Sequence, residues 1–95
     1  MIQKGVVHLS SMDQNWHLNA GTGERRFESS DIHFQPPFPT TPGIALALSG
    51  IDGETSNLRV QVLPQDVEPD EFNIVVRTWG DTVLHGVWVT WIASD

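Results

Sequence analysis

Apolar and polar residues alternate with a period of two along most of the chain, which is the spacing of a β-strand with one buried and one solvent-facing side. No stretch of useful length shows the period of a helix. The predicted strands are Gly5 to Ser10, Asp31 to Phe34, Gly43 to Ile51, Leu58 to Leu63, Phe72 to Thr78 and Gly86 to Ala93. Short, regularly spaced strands without intervening helices favour an all-β fold, a six-stranded antiparallel β-sandwich.

The pattern also predicts how some of these segments are placed. Gly43 to Ile51 carries large apolar side chains on one face and small ones on the other, which favours a central strand. The short segment Trp79 to Thr82 predicts a hairpin that makes the fifth and sixth strands antiparallel neighbours. The Asn19 to Ser30 segment shows little periodicity and is predicted to be an exposed loop.

Composition narrows the class of protein. A length of 95 residues suits one compact domain, so residues 1–95 are expected to form a single domain. The net charge of −7 repels phosphate backbones and argues against a nucleic-acid partner. The longest apolar stretches, 43–48 and 87–92, are too short for membrane insertion, and residues 1–20 lack the core of a signal peptide. The absence of cysteine excludes disulfides and leaves localisation open, because a cytosolic protein and a secreted oligomer are both compatible with it.

No arrangement typical of catalysis or of a metal site is visible. The acidic pairs Asp52/Glu54 and Asp70/Glu71 fall in predicted turns, where such residues commonly serve turn formation and solubility. Serines occur without the G-x-S-x-G motif. The histidines lack the close spacing of metal ligands; they are His8, His17, His33 and His85. We therefore expect no enzyme, no metal and no cofactor.

Sugar recognition is the chemistry that the remaining polar and aromatic residues favour. A saccharide stacks its C–H face on an aromatic ring and hydrogen-bonds its hydroxyls to charged groups such as arginine. Trp79 lies in a predicted turn that His85 follows, and Arg59 lies on the polar face of a predicted strand. A sheet could bring all three into a shared site. The alternative is that Arg59 pairs with a surface acid and Trp79 caps the core.

Short motifs between Phe34 and Ala93 resemble the H-type lectin family in order and spacing. They are Phe34-Gln35-Pro36-Pro37-Phe38 with Pro42, Leu46-Ala47-Leu48-Ser49-Gly50-Ile51-Asp52, Asn57-Leu58-Arg59-Val60, Phe72, Thr78-Trp79-Gly80-Asp81-Thr82 and Trp91-Ile92-Ala93. Gly5 and Trp16 also fit the opening of the family. The resemblance covers about two thirds of the chain.

The resemblance implies a six-stranded antiparallel sandwich that forms a trimer, or a hexamer of two trimers. It also implies that the partners are glycans, bound through N-acetylgalactosamine or galactose in clefts between protomers, as in cell adhesion. Arg59 matches the sugar-binding arginine of the family, and Trp79 matches its binding tryptophan. His85 matches the position of an aromatic, hydrogen-bonding residue in one family member.

Two departures from the family pattern affect the expected site. Gly80 follows the tryptophan where a snail member has histidine, which removes a contact and leaves the sugar preference open. The loop between Trp16 and Asp31 lacks a clear match to the aspartate that a neighbouring protomer contributes. Gly21, Gly23 or Glu24 is expected to take its place.

Two rival functions are weighed against sugar binding. A trimeric structural module, such as a stalk tip or a tail-fibre subunit, could use Arg59 and Trp79 at its interface. A hydrolase fragment is disfavoured, because no activated nucleophile or well-placed acid pair is visible.

Overall fold

Two antiparallel sheets pack face to face in the computed structural model, which describes residues 1–95. The strands are β1 (Ile2–Ser10), β2 (Arg25–Glu28), β3 (Ile32–His33), β4 (Gly43–Gly53), β5 (Gln61–Gln65), β6 (Glu71–Thr78) and β7 (Leu84–Ser94). Every strand pair is antiparallel. The all-β antiparallel sandwich predicted from the sequence is therefore confirmed. No helix of the kind that crosses a bilayer is found in the chain.

Each sheet has three strand positions. The first sheet has the order β1-β7-β4, with β7 in the centre. In the second sheet, β6 is central and β5 lies along one side of it. Strands β2 and β3 follow each other along the other side, where β2 pairs with residues 75–78 and β3 with residues 71 and 72. The chain thus has seven strands rather than six, because two short strands share one position.

The core lies between the inner faces of the two central strands. Phe72, Ile74 and Val76 of β6 are fully buried, as are Val87 and Val89 of β7. This is the alternation that the sequence predicted. Burial of each such side chain contributes about 1.5–3 kcal/mol, so the facing strands supply much of the stability.

Aromatic rings fill one end of the core. The ring of Phe34 lies 4.9 Å from Phe38, 5.4 Å from Phe72 and 5.9 Å from Trp91, measured between ring centres. Phe72 also meets Trp91 edge to face at 5.4 Å. Aromatic pairs in these geometries stabilise beyond their buried area. The Phe34 and Trp91 motifs of the sequence are therefore core elements rather than parts of a surface site.

The hairpin predicted at Trp79 to Thr82 is wrong. The segment carries the chain from β6 in one sheet to β7 in the other, and the two strands do not pair. Both sides of β7 are occupied by β1 and β4, and both sides of β6 are occupied by β5 and the β2/β3 pair. The turn therefore lies at one end of the sandwich and bridges its two layers.

Two further placements differ from the prediction. Strand β4 is an edge strand, and the face that carries Ala45 and Ala47 is exposed, so its small residues do not mark packing on both sides. The segment Asn19 to Ser30 contains strand β2, in which Arg25 and Phe27 are buried. A buried arginine concealed the alternation there, because an arginine is expected to be exposed.

Candidate functional site

Two buried threonines hold the main chain of Arg59 against the turn between β6 and β7. Thr78, before the turn, donates a hydrogen bond from its hydroxyl to the carbonyl oxygen of Arg59. Thr82, after the turn, accepts a hydrogen bond from the main-chain N–H of Arg59 at 3.1 Å and donates to the carbonyl oxygen of Asn57 at 2.6 Å. Because both hydroxyls are fully buried, their polar groups need these partners. The threonines of the Thr-Trp-x-x-Thr motif thus fix the position of the arginine.

The Arg59 side chain lies along the turn, and only one of its three nitrogens is hydrogen-bonded within the chain. Its Nη1 atom donates to Oδ1 of Asp81 at 2.9 Å. No hydrogen bond within the chain involves its Nε or Nη2, and 36% of the side chain is exposed. Hydrogen bonds from the Arg59 guanidinium and, to a smaller extent, from the Asn57 amide hold the pKa of Asp81 below its usual range. Arg59 is therefore an oriented cation that still has free donors.

Gly80 lies directly against this guanidinium. Its φ of +67° is in the left-handed region that glycine adopts without strain. A Cβ atom at this position would lie 3.1 Å from Nη1 of Arg59, which is closer than ordinary van der Waals contact. Glycine at this position thus permits both the turn and the close approach of the arginine.

Trp79 is exposed at the tip of the turn. About 37% of the residue is accessible, so it does not cap the core. The guanidinium carbon of Arg77 lies 5.0 Å from the centre of the indole, within cation–π distance. Arg77 in turn binds Glu24, with its Nη2 atom 3.0 Å from Oε1 of that carboxylate. One face of the indole is therefore held by an arginine that the sequence reasoning did not select.

Buried Arg25 attaches the loop before β2 to the same turn. Its guanidinium donates to the carbonyl oxygens of Leu18, Ala20, Gly23 and Gly80 at 2.9 to 3.2 Å. No acidic side chain pairs with it. The main-chain N–H of Gly23 also donates to the carbonyl of Gly80 at 3.1 Å. These bonds hold the Gly21 to Glu24 loop beside the turn of the same chain, whereas the sequence predicted that this loop would complete the cleft of a neighbouring protomer.

His85 is placed differently from the other predicted residues. Its Nε2 atom lies 3.2 Å from Oε2 of Glu54, on the segment that follows β4. It forms no hydrogen bond with Arg59 or with Trp79. The imidazole is about 30% exposed and thus remains accessible at the same end of the sandwich.

The structure brings most of the predicted residues to one surface. Arg59 contacts Gly80 and Asp81, and Gly23 is hydrogen-bonded to Gly80. Glu24 reaches Trp79 through Arg77, whereas Gly21 lies on the same loop and forms no hydrogen bond with the turn. The sequence also allowed the alternative that Arg59 pairs with a surface acid. This ion pair is present as well, and Asp81 is the acid. The role of these residues in ligand binding stays a prediction.

Three contributors were missed by the sequence reasoning. Asp81 belonged to a quoted motif but was given no role, although an acid two residues after the tryptophan is a natural partner for an arginine. Arg77 precedes the tryptophan by two residues, so the strand period alone places both side chains on one side. Arg25 had no such signal. The surface these residues form is open rather than an enclosed pocket.

The comparisons with known proteins agree with this fold. The family model of the H-type lectin domain matches residues 29–94. A protein of Fuscovulum blasticum described as "ATP synthase subunits region ORF 7" is 35% identical over 92 residues, which is 96% of this chain and 79% of that protein.

Two structures of discoidin II from Dictyostelium discoideum have the same fold as this chain. The recombinant protein superposes with a TM-score of 0.80 over 97% of this chain, and the wild-type protein with 0.82 over 100%. Sequence identity is 21% in both cases. The chain spans 36% and 37% of the length of these discoidin II chains. Since the matched domain covers most of its length, the chain belongs to the H-type lectin family and has the carbohydrate-binding fold of a lectin.

Proposed function

We propose that this chain is a non-catalytic lectin that binds N-acetylgalactosamine or galactose at the surface formed by Arg59 and the Trp79 to Asp81 turn. One observation carries the proposal. The Arg59 guanidinium is fixed by Asp81 through a single nitrogen, while its other donors remain free against Gly80, the residue that follows the exposed Trp79. A planar cation of this kind forms paired hydrogen bonds with vicinal hydroxyls or with an acetamido carbonyl.

The tryptophan supplies the apolar half of the recognition. The C–H face of a galactose ring stacks on an aromatic ring, and one face of the Trp79 indole is turned away from Arg77. The Gly21 to Glu24 loop of the same chain lies next to Gly80 and bounds the surface on one side. A neighbouring protomer closes the cleft on the open side.

Weak binding at each site is expected. A shallow, solvated surface gains only about 0.5–1.5 kcal/mol net from a typical hydrogen bond. Several identical sites on one assembly reach useful strength on a dense glycan surface, because each further contact is intramolecular. Oligomerisation is thus part of the proposed function.

An apolar face supports self-assembly as a trimer or hexamer. The outer face of the β1-β7-β4 sheet exposes Val6, Trp88 and Ile92, with 62%, 37% and 46% of each residue accessible. Ala45 and Ala47 of β4 lie beside them on this face. They share the face with Lys4, His8 and Thr90. Clustered apolar side chains on a surface mark interaction sites in soluble proteins.

The experiment is a calorimetric titration with N-acetylgalactosamine and galactose, with mannose as the sugar control. Arg59→Ala is expected to lose affinity by about tenfold to a hundredfold, since a hydrogen bond from a charged group is worth about 1.5–3 kcal/mol. Arg26→Ala is the matched control, because it removes an exposed arginine that binds Glu28 and Gln65 rather than a residue of the turn. Equal binding by wild type and Arg59→Ala, or binding by neither, contradicts the proposal.

The apolar face also favours a second candidate, a trimeric assembly module that binds no sugar. This candidate is supported if the chain sediments as an oligomer and gives no signal on a glycan array. Loss of the oligomer in Arg59→Ala also favours it.

A further inference from the structure

Arg77 differs from Arg59 in having its donors committed to the protein. Its Nε and Nη2 atoms donate to Oε1 of Glu24 at 3.2 and 3.0 Å, and its Nη1 atom donates to Oε1 of Gln61 at 2.6 Å. The guanidinium is thus held from the loop before β2 on one side and from β5 on the other. Few donors remain for a ligand.

The fixed guanidinium covers one face of the Trp79 indole. Its central carbon lies 5.0 Å from the ring centre, and 29% of the Arg77 side chain is exposed. Arg77 is the penultimate residue of β6, and Trp79 follows directly after the strand, so the strand period, continued by one residue, sets both side chains on the same side of the sheet. An arginine plane against an indole is attracted by the ring quadrupole and by stacking.

We infer that Arg77 is a positioning residue for Trp79. It holds the indole with one face covered and the other presented to the sugar, and Glu24 acts on the site through this guanidinium. The inference rests on the proposed function and assigns a role to a residue that does not itself contact the ligand.

The physical reason is the cost of ordering an exposed side chain. Trp79 lies at a turn, and 37% of the residue is accessible, so part of its ring lacks packing contacts. An indole that is free in the unbound protein must be immobilised when a sugar stacks on it, and this ordering reduces affinity. The stack on Arg77 orders the ring beforehand.

Nuclear magnetic relaxation of the tryptophan side chains tests this without a ligand. The Trp79 indole N–H is assigned from the resonance that disappears in Trp79→Phe, and its ¹⁵N heteronuclear NOE is compared in wild type, Arg77→Met and Arg77→Lys. Arg77→Met is expected to lower the NOE of Trp79 while Trp16, Trp88 and Trp91 keep theirs. Arg77→Lys is expected to be intermediate, because a lysine keeps the charge but not the planar stack.

Affinity for N-acetylgalactosamine is measured on the same variants. Arg77→Met is expected to weaken binding by about threefold to tenfold, the effect of one side chain that must be ordered on binding. Arg26→Met is the control, since Arg26 lies opposite Arg77 in the register of β2 and β6 and binds Glu28 and Gln65 instead of an indole. It is expected to change neither the relaxation of Trp79 nor the affinity.

Unchanged relaxation of Trp79 in Arg77→Met overturns the inference, whatever the affinity does. Unchanged affinity in a variant whose indole has become mobile overturns it as well. If wild type binds none of the sugars, the proposed function fails, and the relaxation experiment alone still decides whether Arg77 orders Trp79. Should Arg77→Met fail to fold, Glu24→Gln serves in its place, because it loosens the guanidinium and is expected to mobilise the indole to a smaller degree.

Discussion

Nη1 of Arg59 lies 2.9 Å from Oδ1 of Asp81, so the turn that carries the exposed tryptophan also orients the cation beside it. The amide of Asn57 reaches the other carboxylate oxygen of Asp81 at 3.5 Å. The acid therefore has a defined place in the cluster, although most of its side chain is exposed. Two of its neighbours favour its ionised form.

The pH dependence of stability follows from this relationship. Hydrogen bonds from Arg59 and then from Asn57 hold the pKa of Asp81 below that of an unfolded aspartate, which is about 3.9. The contribution of the pair is therefore complete above that pH and is lost as the pH falls through the lowered folded value. The melting-temperature difference between wild type and Asp81→Asn is expected to stay constant from pH 8 to pH 5 and to shrink below about pH 4.

The difference in melting temperature between wild type and Asp81→Asn is the quantity to follow, because other carboxyl groups also titrate as the pH falls. A hydrogen bond to Asp31, together with partial burial, raises the pKa of Glu71, and the N-terminal ammonium lowers that of Asp95. Asp52→Asn is the control, since Asp52 is exposed and makes no side-chain hydrogen bond. A wild-type minus Asp81→Asn difference that varies between pH 5 and pH 8 contradicts the assignment.

Arg25 is expected to be the arginine on which folding depends most. It is 7% exposed and donates to four main-chain carbonyls. Arg25→Met leaves the carbonyls of Ala20 and Gly23 without partners, whereas those of Leu18 and Gly80 keep a main-chain N–H donor. We expect a loss of about 2–4 kcal/mol in the free energy of unfolding. The adjacent Arg26→Met removes a side chain that is 54% exposed and should change stability by less than about 0.5 kcal/mol. Urea unfolding of both variants measures the difference, and similar losses in the two are the contrary outcome.

The inner faces of the central strands could be predicted because their side chains obey one simple rule. Phe72, Ile74 and Val76 occupy every second position of β6, and all three are buried. The rule failed at Arg25, where main-chain carbonyls rather than water satisfy the charge. Three of these carbonyls belong to the irregular loop before β2, and the fourth belongs to Gly80 in the distant turn, so the alternation of apolar and polar residues cannot reveal them.

The main residues of the candidate site could be predicted from the sequence, but the hydrogen bonds and the chain path that bring them together could not. Arg59 and Trp79 were selected by chemistry and by resemblance, and they lie at the same turn. The threonines that hold Arg59 were visible as a motif, but their role depends on a crossing between sheets that the sequence suggested was a hairpin. Strand period gives the side of a sheet on which a residue lies, and it does not give which sheet a strand joins.

Gly80→Ala tests whether the guanidinium must lie against the turn. The substitution places a Cβ 3.1 Å from Nη1 of Arg59 and requires a left-handed φ of an alanine. We expect a loss of about 1–2 kcal/mol in stability from the backbone and a fall of about tenfold in affinity for N-acetylgalactosamine as Arg59 shifts. Gly43→Ala is the control, because its Cβ meets only the carbonyl of Ser94 at an ordinary 3.8 Å. Full affinity in a folded Gly80→Ala variant contradicts this placement of Arg59.

The exposed apolar face predicts that assembly and glycan binding can be separated. Ile92→Asp puts a charge on the outer face of the β1-β7-β4 sheet, and burying it against another copy is unfavourable. We expect wild type to sediment as an oligomer of the 10.6 kDa chain, and we expect Ile92→Asp to sediment as a monomer. Binding to a surface dense in galactose should then fall by about a hundredfold, because the linkage of several sites is lost. Affinity for free sugar should fall by less than this, because Arg59 and Trp79 remain on one chain although the neighbouring protomer no longer closes the cleft. Leu63→Asp, on the opposite sheet and 40% exposed, should leave the oligomer intact. A monomeric wild type, or equal disruption by both substitutions, rejects this face as the interface.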